Sequence, residues 1–463
     1  METNKTELAT GSIKKLLFKM SLPAILAQII NLLYNMVDRM FIGRIPNVGA
    51  LALTGVGVTF PIIILITAFA ALVSMGAAPR ASIMLGKGNK EEAEKIMGNS
   101  FSAIIIVSIV LTIIILLFGK DILLLFGASN KTIQYALDYI NIYALGTLFV
   151  QLTLGLNAFV TAQGFPKVSM QTIIIGAIIN IILDPLLIFT FGMGVKGAAL
   201  ATIIAQGVSA LWVVSFLLSD KSYLKIKREN LSIKKSIIVP SLLLGLSPFI
   251  MQFTESILAV VFNTQLQQFG GDVAVGTMTI LTSVMQFSLL PLIGLTQGSQ
   301  PIISYNYGAG NLKRVRKTFK LLVITSISYS TLLWLMIMIR PSMFARVFTN
   351  NEVLIQMVIP SLRIFMAMSF LFSIQIACQQ TFISLGKAKI SIFIALLRKV
   401  VLLIPLIYIL PTIIDNKVNA VFIAEPISDT ISVIITSIAA YVSFKKLLYP
   451  KIDIETLKIQ DMV

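Results

Sequence analysis

Histidine is absent from this sequence, and cysteine occurs once, at Cys378. Without histidine the chain lacks the commonest general base and the commonest nitrogen ligand for zinc. A single cysteine forms neither an internal disulfide nor a thiolate cluster around a metal. These absences exclude histidine-based catalysis, a disulfide scaffold and the usual zinc sites.

Charge is also scarce, since only 12% of the 463 residues are charged whereas 57% are hydrophobic. A soluble domain carries roughly 25% charged residues. The mean hydropathy is +0.91, and apolar stretches long enough to cross a bilayer recur from end to end. We predict an all-α integral membrane protein with about twelve spans, near 16–42, 50–78, 97–118, 133–162, 168–192, 196–219, 238–266, 273–300, 318–340, 354–384, 388–413 and 417–443.

The apolar stretch after the polar N-terminus runs past Phe41. It is too long for the hydrophobic region of a signal peptide, so we predict that it is the first span and that no cleavable signal is present.

The positive charges are distributed unevenly between alternate loops. Of the 37 lysines and arginines, 26 lie in regions predicted to be on one side of the membrane and 8 on the other. This asymmetry is typical of the positive-inside rule and predicts that both termini are cytoplasmic. The net charge of +17 therefore reflects membrane orientation and does not indicate nucleic-acid binding.

Two segments of the chain are repeated at one constant spacing, which we call the repeat spacing. The segment 76–89 matches 298–311 without a gap at six positions, and Gly164, Lys167 and Ser169 match Gly386, Lys389 and Ser391 at the same spacing. Glycine and asparagine are common in loops, so either match alone would be modest, but agreement on one spacing makes chance unlikely. The predicted span limits place most of both segments between spans.

The shared spacing predicts a duplication. An even number of spans in each repeat would make the halves parallel repeats around a central cavity, an architecture found among transporters. We predict an N-terminal six-helix lobe (1–220), a cytoplasmic linker (221–236) and a C-terminal six-helix lobe with a short cytoplasmic tail (237–463).

Two acidic residues of the first half lie inside predicted spans next to helix-disturbing prolines. Asp38 is on the same span as Pro23, which removes a helix hydrogen bond and favours a bend. Asn180 and Asp184 share a helix face, and Pro185 follows directly. Together, the carboxylates and the amide form a candidate Na⁺ or H⁺ site. The alternatives are that Asp38 pairs with Arg39 and that Asp184 caps a helix break.

The second half carries its own buried acids. Glu255 and the neighbouring Met251 and Gln252, with Tyr34 of the first span, are candidates for a substrate site or a second ion site. The alternative for Glu255 is an ion pair with Arg363. Glu425 and Asp429, near the start of the last span, are interpreted as structural. The sequence contains no phosphate-binding loop, nucleophile elbow or zinc-protease motif, so we predict no enzymatic activity, no cofactor and energy from an ion gradient.

At these residues the chain resembles the multidrug and toxic compound extrusion (MATE) family along its whole length. The resemblance rests on Val37–Gly43, on Asn180 with Asp184-Pro185, on Gly197–Leu200, on the segment from Gly298 to Gly308 and on Glu425-Pro426. The resemblance implies two six-helix lobes and export of cationic or amphipathic compounds in exchange for Na⁺ or H⁺.

The resemblance also implies roles for particular residues. Asp38, Asn180, Asp184 and Thr202 look like the ion-coupling residues of the DinF-like branch, and Pro23 like the site where its first helix bends. Glu255 lies where the NorM-like branch has an acid, but a second acid of that branch has no match in 369–383. The DinF-like branch is therefore favoured.

The remaining expectations concern two alternative functions, the cellular location and the partners of the protein. A flippase for a lipid-linked precursor, from the same superfamily, is expected to have a strongly cationic cavity, whereas the mid-span charges here lean acidic. A non-transporting scaffold is the other alternative. We predict a monomer in the plasma membrane of a bacterium, with membrane lipid and small molecules as its partners and no nucleic acid.

Overall fold

The computed structural model describes residues 7–349 and 351–448, and within them the chain is helical and has no strand. The helices of the first half are α1 (Ile13–Gly43), α2 (Gly49–Gly86), α3 (Lys90–Leu125), α4 (Ile133–Leu145), α5 (Thr147–Ala162), α6 (Pro166–Pro185) and α7 (Val195–Leu218). Those of the second half are α8 (Lys235–Gly308), α9 (Leu312–Ile339), α10 (Pro341–Phe348), α11 (Glu352–Phe365), α12 (Ser369–Ser384), α13 (Ala388–Leu396), α14 (Ile404–Ile413) and α15 (Lys417–Leu448).

Helix α8 is 74 residues long, which corresponds to about 110 Å and is far more than one bilayer crossing needs. Its backbone breaks at Gly271, where φ is +60°, a conformation that glycine adopts without the steric cost that other residues incur. The break divides α8 into two arms, in agreement with the separate spans predicted at 238–266 and 273–300.

Two further spans are bent. Helices α4 and α5 meet at 56°, and α11 and α12 meet at 50°. Among the described residues, nine helices are long and apolar enough to cross a membrane, or eleven when each bent pair counts as one span. The two arms of α8 bring the number of crossings to twelve, and the predicted all-α, twelve-helix membrane fold is confirmed.

The repeat spacing is visible in the helix boundaries. Six helical segments of the first half begin one repeat spacing before their counterparts in the second half, at Ile13 and Lys235, Gly49 and Gly271, Lys90 and Leu312, Thr147 and Ser369, Pro166 and Ala388, and Val195 and Lys417. The π-helical segments differ, because Leu186–Thr190 follows α6 whereas Leu397–Leu403 lies between α13 and α14. The two halves therefore share a fold and differ inside the fifth span of each.

The repeated glycine segments, which the sequence placed in loops, include the ends of long helices. Helix α2 continues to Gly86 and α8 to Gly308. A Cβ atom added at Gly86 would lie 2.0 Å from the carbonyl oxygen of Tyr305, and one added at Gly308 would lie 2.0 Å from that of Ile83. Tyr305 is itself one repeat spacing after Ile83, so the two contacts are reciprocal. Only glycine allows helix backbones to approach so closely.

Among the described residues, buried apolar side chains form three large clusters, one shared by the halves and one within each half. The shared cluster joins residues such as Leu16 and Ala77 to Ile302 and Phe382. The other two lie entirely within the first half, around Ile140, or within the second half, around Phe422. The halves are thus joined at the end that carries the repeated glycines, which the distribution of charge predicts to be cytoplasmic.

Replacing Gly86 tests this junction. The Gly86→Ala variant should lose thermal stability, because its methyl group cannot fit against the Tyr305 carbonyl without separating α2 from α8. The change in apparent Tm of the purified protein measures the effect. Gly57→Ala is the matched control, since Gly57 is in the same helix and has nothing within 4 Å of its added Cβ. Equal stability of the two variants would contradict the proposed role of the contact.

Candidate functional site

Asp38 and Asp184 meet inside the first half of the molecule. Helix α1 places Asp38, and α6 places Asp184 one residue before the proline at which that helix ends. Both side chains are buried, and their carboxyl groups lie within hydrogen-bonding reach of each other. The structure therefore brings together two acids that lie on the first and fifth predicted spans.

Asn180 and Thr202 complete this group. The amide nitrogen of Asn180 donates to Asp184 Oδ1 at 3.2 Å and lies 3.4 Å from the hydroxyl oxygen of Thr202. The Thr202 hydroxyl in turn donates to the carbonyl of Ala198 at 3.1 Å. All four predicted ion-coupling residues therefore belong to one cluster, which we call the N-lobe site (Asp38, Asn180, Asp184 and Thr202).

Three oxygen atoms of the N-lobe site are buried and accept no hydrogen bond from a described residue. They are Asp38 Oδ1, Asn180 Oδ1 and Asp184 Oδ2. Unsatisfied buried polar atoms are costly and uncommon in native proteins. A cavity of about 150 Å³ borders the site at Asn180 and Thr202. The arrangement offers oxygen atoms and space to a small cation.

Sequence reasoning missed two members of the surroundings. Tyr139 of α4 is buried beside Asp38 and Thr202, and Gln206 of α7 lies near Tyr34. Gln206 is four residues after Thr202 and so shares its helix face, a signal that the sequence does contain. Nothing local to α4 points to Tyr139, which reaches the site through tertiary packing. Tyr34, predicted as a substrate residue, lines the same cavity as Asn180.

Asp38 forms no ion pair with Arg39, which the sequence analysis gave as its alternative partner. The Arg39 guanidinium lies over the ring of Phe60, 4.9 Å from its centre, and the Asp38 carboxyl faces Asp184 instead. Helix α1 is continuous through Pro23. Close contacts hold this region, because added Cβ atoms at Gly294 and Gly298 of α8 would lie 2.6 Å from Ile25 and 2.5 Å from Ser21.

The second half holds a different charged cluster. Arg398 donates to Glu425 at 2.5 Å and to Asp429 at 2.6 Å, and all three side chains are about 5% exposed or less. The centre of the Phe372 ring lies 3.9 Å from the guanidinium carbon. Because Glu425 and Asp429 are one turn apart on α15, they contact Arg398 from the same side. The pairing supports our structural interpretation of these two acids.

Lys399 extends the cluster towards Glu255. Its ammonium group donates to Glu255 and, at 2.8 Å, to the carbonyl of Met251. The predicted alternative of a Glu255–Arg363 pair is wrong, since Arg363 donates to the carbonyl of Met338 and Lys399 occupies the partner position. We call the charged residues of this cluster the C-lobe network (Glu255, Arg398, Lys399, Glu425 and Asp429).

Both cations of the C-lobe network lie in the π-helical segment Leu397–Leu403. Such segments rearrange backbone hydrogen bonds and are frequent at functional sites. The hydroxyl of Ser428 donates to the carbonyl of Arg398 at 2.8 Å, which satisfies one backbone group of the irregular segment. The sequence contained the two adjacent cations, but nothing in it identified their partners.

Gln252 lies where the halves face each other. Its side-chain oxygen accepts a hydrogen bond from Thr67 of α2 at 3.2 Å. Glu255 is three residues later and so lies on the same face of this helix, and its side chain is 61% exposed. The structure thus places Gln252 at a contact between the halves, with Glu255 on the same helix face, and does not join either to the N-lobe site.

This combination of twelve crossings, two repeated halves in contact with each other and buried charges in both halves defines a membrane transporter built from parallel repeats. The MatE family model matches residues 23–186 and 248–409, one segment in each half. The chain belongs to the MatE family, whose members are transporters rather than enzymes.

Curated relatives and solved structures agree with this assignment. The multidrug export protein MepA of Staphylococcus haemolyticus is 28% identical over 315 residues, 68% of this chain and 69% of that protein. MepA of a bovine strain of Staphylococcus aureus is 24% identical over 396 residues, 86% and 87% of the two chains. A crystal structure of MATE in the bent conformation superimposes with a TM-score of 0.89 at 22% identity, covering 96% of this chain and 98% of that one.

A further solved structure, an outward-facing multidrug resistance MATE family transporter of the MOP superfamily, gives a TM-score of 0.87 at 22% identity over 95% of this chain and 98% of that one. At this level of identity the similarity establishes the fold alone. It confirms the predicted arrangement of two six-helix lobes.

The C-lobe network makes a prediction about stability. Arg398→Leu should destabilise the protein by about 3–5 kcal/mol, because Glu425 and Asp429 would be left as buried, unpaired acids. Lys399→Leu is the matched comparison and should cost much less, since the side chain of its partner Glu255 is 61% exposed, whereas Glu425 and Asp429 are buried. Thermal unfolding of the two purified variants distinguishes them, and equal losses would contradict the assigned difference in burial.

Proposed function

We propose that this protein exports cationic or amphipathic compounds from the cytoplasm by antiport with Na⁺ or H⁺, and that the N-lobe site binds the coupling ion. The observation that carries the proposal is the set of three buried oxygen atoms without partners, on Asp38, Asn180 and Asp184. These residues are the ones that the sequence suggested as ligands of a cation.

The physical basis is repulsion between two buried carboxylates. Two negative charges in a poorly solvated site raise each other's energy, and a bound proton or Na⁺ relieves that cost. Carboxylate and amide oxygens are the ligands that hard cations prefer. Binding of the coupling ion is thus favoured by the site itself, while its release requires water to reach the carboxylates.

Helix α1 connects this site to the junction of the lobes. Asp38 lies fifteen residues after Pro23 on one helix, and the segment around Pro23 packs against Gly294 and Gly298 of the other half. Neutralising Asp38 would change how α1 packs on α6, and Pro23 is the position at which α1 can bend. The coupling ion would act on the contact between the halves through this helix.

The region where the halves face each other has features suited to a cationic amphipath. Phe249 packs against Phe69 of the opposite half with ring centres 5.1 Å apart, and Phe253 stacks on Phe249 at 5.9 Å. Accessible Glu255 is two residues after Phe253. Glu255 is already paired with Lys399, so the aromatic faces are the features of this region that attract organic cations, and the curated relatives are multidrug export proteins.

The flippase alternative requires cations that are free to bind a pyrophosphate. In the C-lobe network both Arg398 and Lys399 are already paired with carboxylates, which favours the exporter. The N-lobe site supports assignment to the DinF-like branch. We further propose a monomer in the bacterial plasma membrane with both termini in the cytoplasm, as the charge distribution indicates.

The central test is transport by Asp184→Asn in proteoliposomes. Export of a fluorescent organic cation under imposed Na⁺ or pH gradients should fall at least tenfold, because one of the two carboxylates that bind the ion is lost. Asp121→Asn is the matched control, since Asp121 is exposed at the end of α3 and should export normally. Undiminished, gradient-driven export by Asp184→Asn would overturn the role of the site, and a wild-type protein that moves no solute would favour the scaffold.

The identity of the coupling ion has a separate test. If Na⁺ binds the unpartnered oxygens, replacing choline chloride with NaCl at constant ionic strength should raise the apparent Tm of the wild type, since a ligand that binds only the folded state stabilises it. The rise should disappear in Asp184→Asn and persist in Asp121→Asn. The same Tm in both salts, combined with transport driven by a pH gradient alone, would identify H⁺ as the ion.

A further inference from the structure

A large groove opens on the second half, away from both charged clusters. Its volume is about 1030 Å³, and it lies between α9, α12 and α15. One end is basic and the other is apolar. The basic residues at one end are Lys313, Arg316, Lys317, Lys320 and Lys445.

The apolar end of the groove continues into the lipid-facing surface. It is lined by side chains that include Ile374, Ala440 and Phe444. At its margins Ile324 is 50% exposed and Tyr441 is 66% exposed, on helices that cross the membrane. A molecule in this groove would therefore contact both the hydrocarbon region and a row of cations at the predicted cytoplasmic side.

The equivalent position in the first half is filled by the chain itself. Residues 219–234, which connect the halves, pack on α3, where Ser102 donates to the carbonyl of Leu231 at 2.6 Å and Asn99 donates to that of Asn230 at 3.2 Å. A Cβ atom added at Gly98 would lie 2.5 Å from the Asn230 carbonyl oxygen. The predicted linker is thus a packed element of the first half.

Charge complementarity holds this segment in place. Lys227 pairs with Glu94 at 2.7 Å, and Glu94 is 1% exposed. The hydrogen bond from Lys227 to Glu94, together with the negative charge of Glu94, raises the pKa of the Lys227 ammonium. The first half therefore presents acids to a basic segment.

The acids that face this segment in the first half are replaced by cations in the second half, whereas Lys95 keeps its sign as Lys317. Lys313 and Arg316 stand where the first half has Glu91 and Glu94, and Lys320 stands where it has Gly98. Among the described residues, no carboxylate lines the groove. A groove that is basic at one end and apolar at the other suits a negatively charged occupant with an apolar part.

We propose that this groove binds an anionic phospholipid of the cytoplasmic leaflet, with its phosphate among Lys313, Lys317 and Lys320 and an acyl chain along Phe444 and Ile374. Basic pockets between membrane helices on the cytoplasmic side recognise anionic headgroups in this way. A zwitterionic lipid would provide the acyl chain without the net charge, and free phosphate would provide the charge without the acyl chain.

Native mass spectrometry of the full-length protein tests the proposal. Titration with phosphatidylglycerol should give retained lipid adducts, whereas phosphatidylcholine and inorganic phosphate at the same concentration should give few. Lys317→Gln with Lys320→Gln should weaken phosphatidylglycerol binding by roughly tenfold or more, since each lysine near an anionic surface contributes about a fivefold factor. The matched control is Lys14→Gln with Lys15→Gln, which removes the same charge from exposed positions of α1.

A photoreactive residue at Tyr441 identifies the occupant independently of charge. In phosphatidylglycerol vesicles, a cross-link to lipid that is lost in Lys317→Gln with Lys320→Gln supports the proposal. A cross-link to residues 449–463 of the same chain would overturn it, because the groove would then be covered by the protein's own C-terminal segment. Equal retention of phosphatidylglycerol and phosphatidylcholine would overturn it as well.

Discussion

The approach of α2 to α8 at glycine positions is the contact on which the rest of the architecture depends. At Gly86 and Gly308 the backbones are so close that a single added methyl group would overlap a carbonyl oxygen 2.0 Å away. Small residues allow membrane helices to gain van der Waals contact in a solvent that provides little hydrophobic driving force. The shared apolar cluster surrounds this contact, so the lobes are joined at one end and each keeps a separate core at the other.

The two halves differ in whether their buried charged residues have partners. The N-lobe site leaves oxygens of Asp38 and Asp184 without partners. Burying such oxygens costs free energy unless a cation binds to them. In the C-lobe network, Arg398 is held by Glu425 and Asp429, and a complete set of partners makes a structural contact. The two halves share a fold, but buried oxygen atoms of the N-lobe site are unpaired, whereas the carboxylates around Arg398 are paired.

Sequence reasoning predicted what helix geometry and periodicity determine. The number of spans, the duplication and the face shared by Asn180 and Asp184 follow from repeating patterns along the chain. Contacts between distant helices do not. The partner considered for Glu255 was wrong, and Tyr139 was missed, because the rotation of a span about its own axis depends on its neighbours. The glycine segments were placed in loops because glycine has the same composition signal in a turn and at a close helix crossing.

Gly86 pairs with Tyr305, and Gly308 pairs with Ile83 in the same way. This reciprocal pairing also explains why the sequences of the two halves have diverged less at some positions than at others. Each glycine contacts the backbone of the residue that corresponds to its counterpart's neighbour, so the same steric requirement applies to Gly86 and to Gly308, whereas the side chains of Ile83 and Tyr305 differ. Residues away from this contact, such as Asp184 and its counterpart Leu406, meet different neighbours and are free to diverge. A tandem gene duplication is therefore easiest to recognise in the residues at the contact between the halves. Residues far from that contact, such as Asp184, can acquire roles that their counterparts lack.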